Sequence, residues 1–427
     1  MKSICKGVVS ATITACLFSG ICYAEVIPFD SNRWTYSTTT GKALDDNLAS
    51  ANRIESYLGE DQALFLQLTN AVVNDISMTD GTIEYDVAFS DPWADGDTTA
   101  NGFYGVLWRA DDVLQNYEHL YFRAQRTREI KAIQYEGVSN GGSNAILYGQ
   151  QHTETYVFPF DTWLHVKLLV AGNQAELYVY ERDAATTDTK NEERKVNPLK
   201  TFYLKGNNES GTVGLVSGGK QDNAQLFHGG YYANFDFTPG TPTLKNPLPS
   251  EETPIKPLDN LTDSTSITSW MLSGTFDSTT LDNKRTLTED DLSITDWTSA
   301  QTDGGGVLDI YKFQSVPRGT TAYLRTTIMS DTAQVKRLSF RYYMQNEIKV
   351  YFNGDLIFSS SPLNINKPEE LGDEVPWENT RTSLDYRSDF RHIYLPLKSG
   401  NNELWIADAT GVIAQVENMD GISFSTN

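Results

Sequence analysis

Two short runs hold the residue types and spacings most able to do chemistry. In Glu84-Tyr85-Asp86 the carboxylates stand two positions apart, which on a strand puts both on one face. Paired carboxyls are what glycosidic hydrolysis needs, one as nucleophile and one as acid, about 5–5.5 Å apart in a retaining enzyme. In the second run, Tyr117, His119, Tyr121 and Arg123 share one strand face by the period of two, and Glu118, Leu120 and Phe122 share the other. The first set offers aromatic faces to sugar C–H groups and a forked donor to hydroxyls or carboxylates. Arg109, just before the Asp111-Asp112 turn, is expected on an adjacent strand as a further ligand-binding residue. Tyr and Arg also decorate ordinary exposed strands, and Glu84 and Asp86 equally suit a solvated polar face.

Other chemistry is sparse. Asp91, Asp95 and Asp97 in SDPWADGDTT form an oxygen-rich loop of the kind that binds Ca²⁺, without the spacing of an EF-hand; a solvated acidic loop is the plainer reading. Apart from that calcium, no cofactor is expected. The five histidines, at 119, 152, 165, 228 and 392, have no H-x-x-x-H spacing, and no C-x-x-C pair occurs, which disfavours a zinc enzyme. There is no G-x-S-x-G elbow. Gly304-Gly305-Gly306 lacks a following Lys-Ser/Thr and reads as a loop.

The elements that must carry these residues are strands. Residues 63–68, 82–89, 103–109, 118–124, 163–171, 174–180 and 211–216 are short β-rich runs separated by Gly, Asn and Asp turns. Ile83, Tyr85 and Val87 alternate with Glu84, Asp86 and Ala88, so one face packs inward and the other meets water or ligand. Stacking two antiparallel sheets is the simplest way to bury so many one-faced strands. Residues 238–258 hold six of the fifteen prolines and are expected to form a semi-rigid linker. Extended at about 3.1 Å per residue it would reach on the order of 60 Å, so that the flanking units need not touch. Beyond it, residues 322–328, 335–343, 348–352, 392–397 and 403–407 read as strands of a second unit spanning 259–427, with 362–386 as a long surface loop.

The chain has 427 residues, 39% hydrophobic and 21% charged, enough for two cores. Its 34 basic and 56 acidic residues give a net charge of −22, which repels phosphate backbones and disfavours nucleic acid as a partner. Residues 1–24 read as an export signal: Lys2 and Lys6, an apolar run from Gly7 to Ile21, then Cys22-Tyr23-Ala24 as a cleavage site. Cleavage removes all three cysteines and leaves a charge of −24, from 32 basic and 56 acidic residues. Ile13-Thr14-Ala15-Cys16 offers the alternative of a lipid-anchored Cys16. Cleavage after Ala24 implies a secreted or periplasmic location; the alternative is a protein lipid-anchored at Cys16. No later segment approaches the ~20 apolar residues of a membrane span.

Trp163 to Lys167, Ala171 to Val179, Gly211 to Leu215 and Ala233-Asn234-Phe235 resemble the closing strands of laminin-G-like and concanavalin-A-like lectin/glucanase domains, and Gly105 to Arg109 with Asn116 to Arg123 resemble their central strands. The resemblance covers most of residues 26–237. It implies an all-β fold, a concanavalin-A-like antiparallel β-sandwich. Glucanases of that group carry E-x-D-x-(x)-E, whereas here Ala88 or Phe89 takes the third place, so a catalytic acid would have to come from another strand, with Glu118 or Glu136 available. Val350 to Gly354 and Leu395 to Leu404 resemble the paired signatures of galactose-binding-like jelly rolls, which implies a second β-sandwich (jelly roll) joined to the first by the Pro-rich linker. Three functions fit: carbohydrate binding without catalysis on the first sandwich, a glycan hydrolase or lyase on the same sandwich, and an adhesion or envelope scaffold module. Glycan and oligomeric state are not legible.

Overall fold

The computed structural model describes residues 25–38, 52–91, 102–124, 132–143, 153–154, 156–218, 229–252, 264–279, 285–342, 348–360 and 391–426. Cys16 and the export signal, Trp93, Asp95 and Asp97, and the 362–386 insertion lie outside them. Up to residue 239 the strands are β1 (Glu25–Val26), β2 (Trp34–Thr38), β3 (Asn52–Tyr57), β4 (Glu60–Leu66), β5 (Thr69–Val73), β6 (Gly81–Phe89), β7 (Phe103–Ala110) and β8 (Tyr117–Arg123). They continue as β9 (Ile133–Ser139), β10 (Gly142–Ser143), β11 (Thr153–Glu154), β12 (Leu164–Ala171), β13 (Gln174–Glu181), β14 (Lys200–Tyr203), β15 (Thr212–Gly218) and β16 (Gly230–Pro239).

These strands build two antiparallel sheets. One runs β14-β13-β12-β6-β16-β4-β3 with β1 beside β16, the other β10-β9-β8-β7-β15-β5-β2 with β11 beside β9. Alternation decides what lies between them. Ile83, Tyr85, Val87 and Phe89 of β6, with Leu164, Val166 and Leu168 of β12, face Tyr104, Val106 and Trp108 of β7 and Leu120 and Phe122 of β8 in one apolar core. The Tyr232 hydroxyl crosses this core to donate to the Val216 carbonyl at 2.6 Å and accept from the Gly105 amide at 3.0 Å, so its burial leaves no orphaned polar atom. A helix missing from the strand pattern, Thr189–Val196, packs by β13; Asp188 caps it, and its buried Asn191 bonds both backbone groups of Glu181.

The described residues between 264 and 426 form a second sandwich. Antiparallel sheets of five and seven strands enclose Trp270, Leu324, Phe340, Val350, Leu404 and Val416. The strand Ile348–Phe352 pairs with Gly400–Asp408, and at their ends Asn353 Nδ2 donates to Asn402 Oδ1 at 3.1 Å. Gly400 begins a strand, although the sequence around it reads as a turn; the buried Asn402 accepts from the Lys398 amide and donates to the Lys398 carbonyl, closing the turn on itself.

The Pro-rich segment does not run free. Residues 240–252 lie along the edge of the first sandwich, where Glu176 accepts the amides of Lys245, at 2.8 Å, and Asn246. Gln174 exchanges bonds with Leu248 and Pro249, and the Tyr203 hydroxyl donates to the Pro249 carbonyl at 2.8 Å. Prolines have no N–H to donate to a ladder, but their carbonyls still accept, so strand-edge side chains bind the segment as a strap. The units flanking it do touch. At the Asn140-Gly141 hairpin tip, Asn140 donates to the Tyr311 carbonyl at 2.5 Å, and the Tyr311 ring lies where any side chain at Gly142 would be. Asn207 donates to the Lys312 carbonyl at 3.1 Å.

Candidate functional site

The two carboxylates of the E-Y-D run do share the outer face of β6, but Asp86 is not solvated. It is 1% exposed, and its oxygens take His165 Nδ1 at 2.8 Å, Arg182 Nη1 at 3.1 Å and Asn234 Nδ2 at 2.7 Å. The expectation of a solvent-facing pair therefore fails for Asp86, because register sets His165 of β12 and Ala233 of β16 on either side of it. Glu84 keeps partial exposure, with His165 Nε2 at 3.2 Å and Lys167 Nζ at 3.1 Å. The bond from His165 holds the Glu84 carboxyl below its usual range against the opposing effect of burial. Burial pulls His165 down, yet its two carboxylate partners lift it to about 9, so the imidazole is charged at neutral pH.

Glu118 is nowhere near that pair. It lies on the other sheet, on the inward face with Leu120 and Phe122, where Tyr135 donates to it at 2.5 Å and the Gly206 amide at 3.1 Å. Burial pushes its carboxyl up, opposed by Tyr135 and Arg109. Glu118 and Glu136, both on the second sheet, consequently do not join Glu84 and Asp86 as the missing third carboxylate.

The β8 face is as the alternation requires: Tyr117, His119, Tyr121 and Arg123 point away from the core that takes Leu120 and Phe122. Cross-strand register completes the surface, setting Phe103 opposite Arg123, Leu107 between Gly214 and His119, and Gln134 and Glu136 opposite Tyr121 and His119. The Tyr121 hydroxyl donates to Glu136 at 2.5 Å, Arg123 to Gln134 at 3.4 Å, and the rings of His119 and Tyr121 stand 4.5 Å apart. The face is more enclosed than the sequence suggests, with Tyr121 only 7% exposed. Burial pushes His119 down to about 3, so it is neutral, and among the described residues its buried Nε2 has no hydrogen-bond partner. Burial likewise raises the Glu136 carboxyl, against Tyr121, Arg123 and Ser143.

Arg109 does not belong to this surface. It sits on β7, adjacent to β8 as expected, but at φ +50° its side chain turns aside to donate to the carbonyls of Thr79 at 2.8 Å and Gly172 at 2.7 Å, with Asp80 at 3.3 Å. That guanidinium ties the β12–β13 hairpin of one sheet to the end of the other. Asp91 lies among the described residues and its two proposed calcium partners do not; among the described residues no group of three His, Cys, Asp or Glu is placed to hold a metal ion.

Sequence reasoning missed an aromatic cluster on the outer face of the first sheet. Tyr57 and Tyr231 stack with centroids 3.6 Å apart, Trp163 meets Tyr57 edge-on, and Arg182 lies over Trp163 at 5.3 Å. Its members come from β3, β16, the residue before β12 and the residue after β13, so no local pattern announces it.

Stacked antiparallel sheets make the described residues a nearly all-β structure of β-sandwich architecture. No family model matches the chain, and no curated protein does. Solved structures similar to it include a carbohydrate-binding module from Bacillus subtilis (14% identity, 48% of this chain and 93% of that one, TM-score 0.29). They also include basic winged bean lectin with Tn-antigen (9%, 52% and 99%, TM-score 0.32) and a putative glycosyl hydrolase from Parabacteroides distasonis (10%, 48% and 93%, TM-score 0.24). No helix among the described residues is long and apolar enough to cross a membrane.

Proposed function

We propose that the chain is an exported protein that binds carbohydrate, without cleaving it, on the outer face of β7, β8 and β9. The observation that carries this reading is the cross-strand surface of Phe103, Tyr117, Tyr121, Arg123, Gln134 and Glu136 around a neutral His119 whose Nε2 has no hydrogen-bond partner among the described residues. A sugar hydroxyl both donates and accepts, so it satisfies either tautomer of His119, while ring faces take the C–H side of the sugar. The dispersal of Glu84, Asp86 and Glu118 over two sheets supports binding over hydrolysis. Export draws on residues 1–24, and the Asn353–Asn402 bond between its two signature runs supports a galactose-binding-like jelly roll as the second unit. A glycan array with the mature protein and its Tyr121→Ala variant tests the reading. A hit lost in the variant, with the oligosaccharide recovered intact, is expected. Release of new reducing ends, or binding indifferent to Tyr121, overturns it.

A further inference from the structure

A second place in the molecule has the makings of a saccharide site, and it lies at the junction of the two sandwiches. Lys205, just past β14 and 3% exposed at its side chain, pairs with Glu252 of the strap and, at 3.0 Å, with Asp303 of the second unit. The triple glycine explained by nothing in the first sandwich packs here. A Cβ at Gly304 would stand 3.1 Å from Glu252 Cβ, and one at Gly305 would stand 3.0 Å from Glu252 Oε1 and 3.2 Å from Asp303 Oδ1, so a side chain at either would press on the strap. Beside it opens a cleft of about 500 Å³ lined by Asn173, Tyr203, Glu251, Asp303 and Lys312, among others.

Two features bear on a ligand. Glu252 has a side chain only 9% exposed, and its buried Oε1 has no hydrogen-bond partner among the described residues although its other oxygen is held by Lys205. A buried carboxylate oxygen left unpaired is costly, and a hydroxyl donor repairs it. Lys312 lines the same cleft, and its carbonyl takes Asn207. Three carboxylates, Glu251, Glu252 and Asp303, against two lysines, Lys205 and Lys312, disfavour an anion. What fits is a neutral molecule dense in hydroxyls, with the Tyr203 ring as a wall.

We propose that the cleft between strap, first sandwich and second sandwich binds a neutral mono- or disaccharide, with Glu252 accepting from a sugar hydroxyl and Lys312 and Asn173 donating. The ligand class rests on the carbohydrate-binding reading above; the site does not share its residues. Occupancy would also fasten the two sandwiches, since donors from both reach one ligand.

The test uses the full mature chain with the methyl glycosides of galactose, glucose, mannose and xylose and with cellobiose, followed by saturation-transfer NMR and titration. Lys312→Ala and Asn173→Ala leave the Lys205 pairs intact, and thermal unfolding checks that both variants fold. The expected result is a probe whose binding weakens about tenfold or more in each junction variant and is unchanged by Tyr121→Ala. Binding lost only in Tyr121→Ala overturns the junction site and leaves the β8 face standing. Failure of every probe to bind overturns the junction site, while the glycan array still decides the β8 face.

Discussion

Asp86 Oδ1 lies 2.8 Å from His165 Nδ1, on the neighbouring strand of the same sheet, and Arg182 and Asn234 take its other oxygen. A carboxylate with three donors and almost no exposure is a structural anchor. Removing it leaves a charged imidazole and guanidinium facing each other, so Asp86→Ala should cost about 3–5 kcal/mol in denaturant unfolding. Asp86→Asn should cost less. Full stability of Asp86→Asn together with loss of a measured glycan cleavage would contradict the anchor assignment.

The same pair sets a pH dependence. His165 titrates at about 9 when folded and near 6.5 when unfolded. A raised folded pKa contributes stability that is fully present below about 6.5 and is lost as pH rises through 9. His165→Gln should therefore flatten the fall in unfolding free energy across that alkaline window, measured by urea titration at several pH values.

His119 works in the opposite sense. Its folded pKa near 3 lies below the unfolded value, so the unfolded chain binds the extra proton and stability is lost as pH falls from about 6.5 toward 3. A His119→Phe variant should lose less stability on acidification over that range than the parent.

Adjacent residues on β8 should differ in their effect on binding. Leu120 is 1% exposed in the core, and Leu120→Ala should cost about 2–5 kcal/mol of stability while the folded fraction keeps its affinity. Tyr121→Phe keeps the ring but removes the hydroxyl's bond to the Glu136 carboxyl, which should cost about 1–3 kcal/mol. Tyr121→Ala should weaken glycan binding as well. Calorimetric binding beside thermal unfolding separates the two readouts.

Arg109→Ala should behave as a stability variant only. Its guanidinium is spent on Thr79, Gly172 and Asp80, so unfolding at lower denaturant with unchanged affinity in the folded fraction is expected. Weaker binding at full stability would return Arg109 to the ligand surface.

Much of the architecture was legible because a strand's period of two is a local property. Residues 82–89 announce their own inside and outside, and so do 118–124, so the strands at 81–89 and 117–123 and the opposite fates of Leu120 and Tyr121 follow from sequence. Turn chemistry helped at Ala171-Gly172-Asn173, where Gly172 takes φ +59°. Thr189–Val196 was not foreseen as a helix because it is polar almost throughout and stands on one cap, at Asp188, and one buried residue, Asn191.

Which strands become neighbours is a different matter. Composition and alternation determined an all-β chain, the inward residues of each strand and the polar, aromatic side of β8. Only the tertiary structure decided that Asp86 would meet His165, 79 residues away, that Glu118 would face inward on the other sheet, and that Arg109 would turn from the surface to clip a hairpin. It also turned the proline-rich run from a spacer into a strap, because the partners that bind it, Gln174, Glu176 and Tyr203, stand 46 to 75 residues before the groups they hold. Hydrogen-bond partners across a sheet are chosen by register and crossover, and those carry no signature in the local sequence.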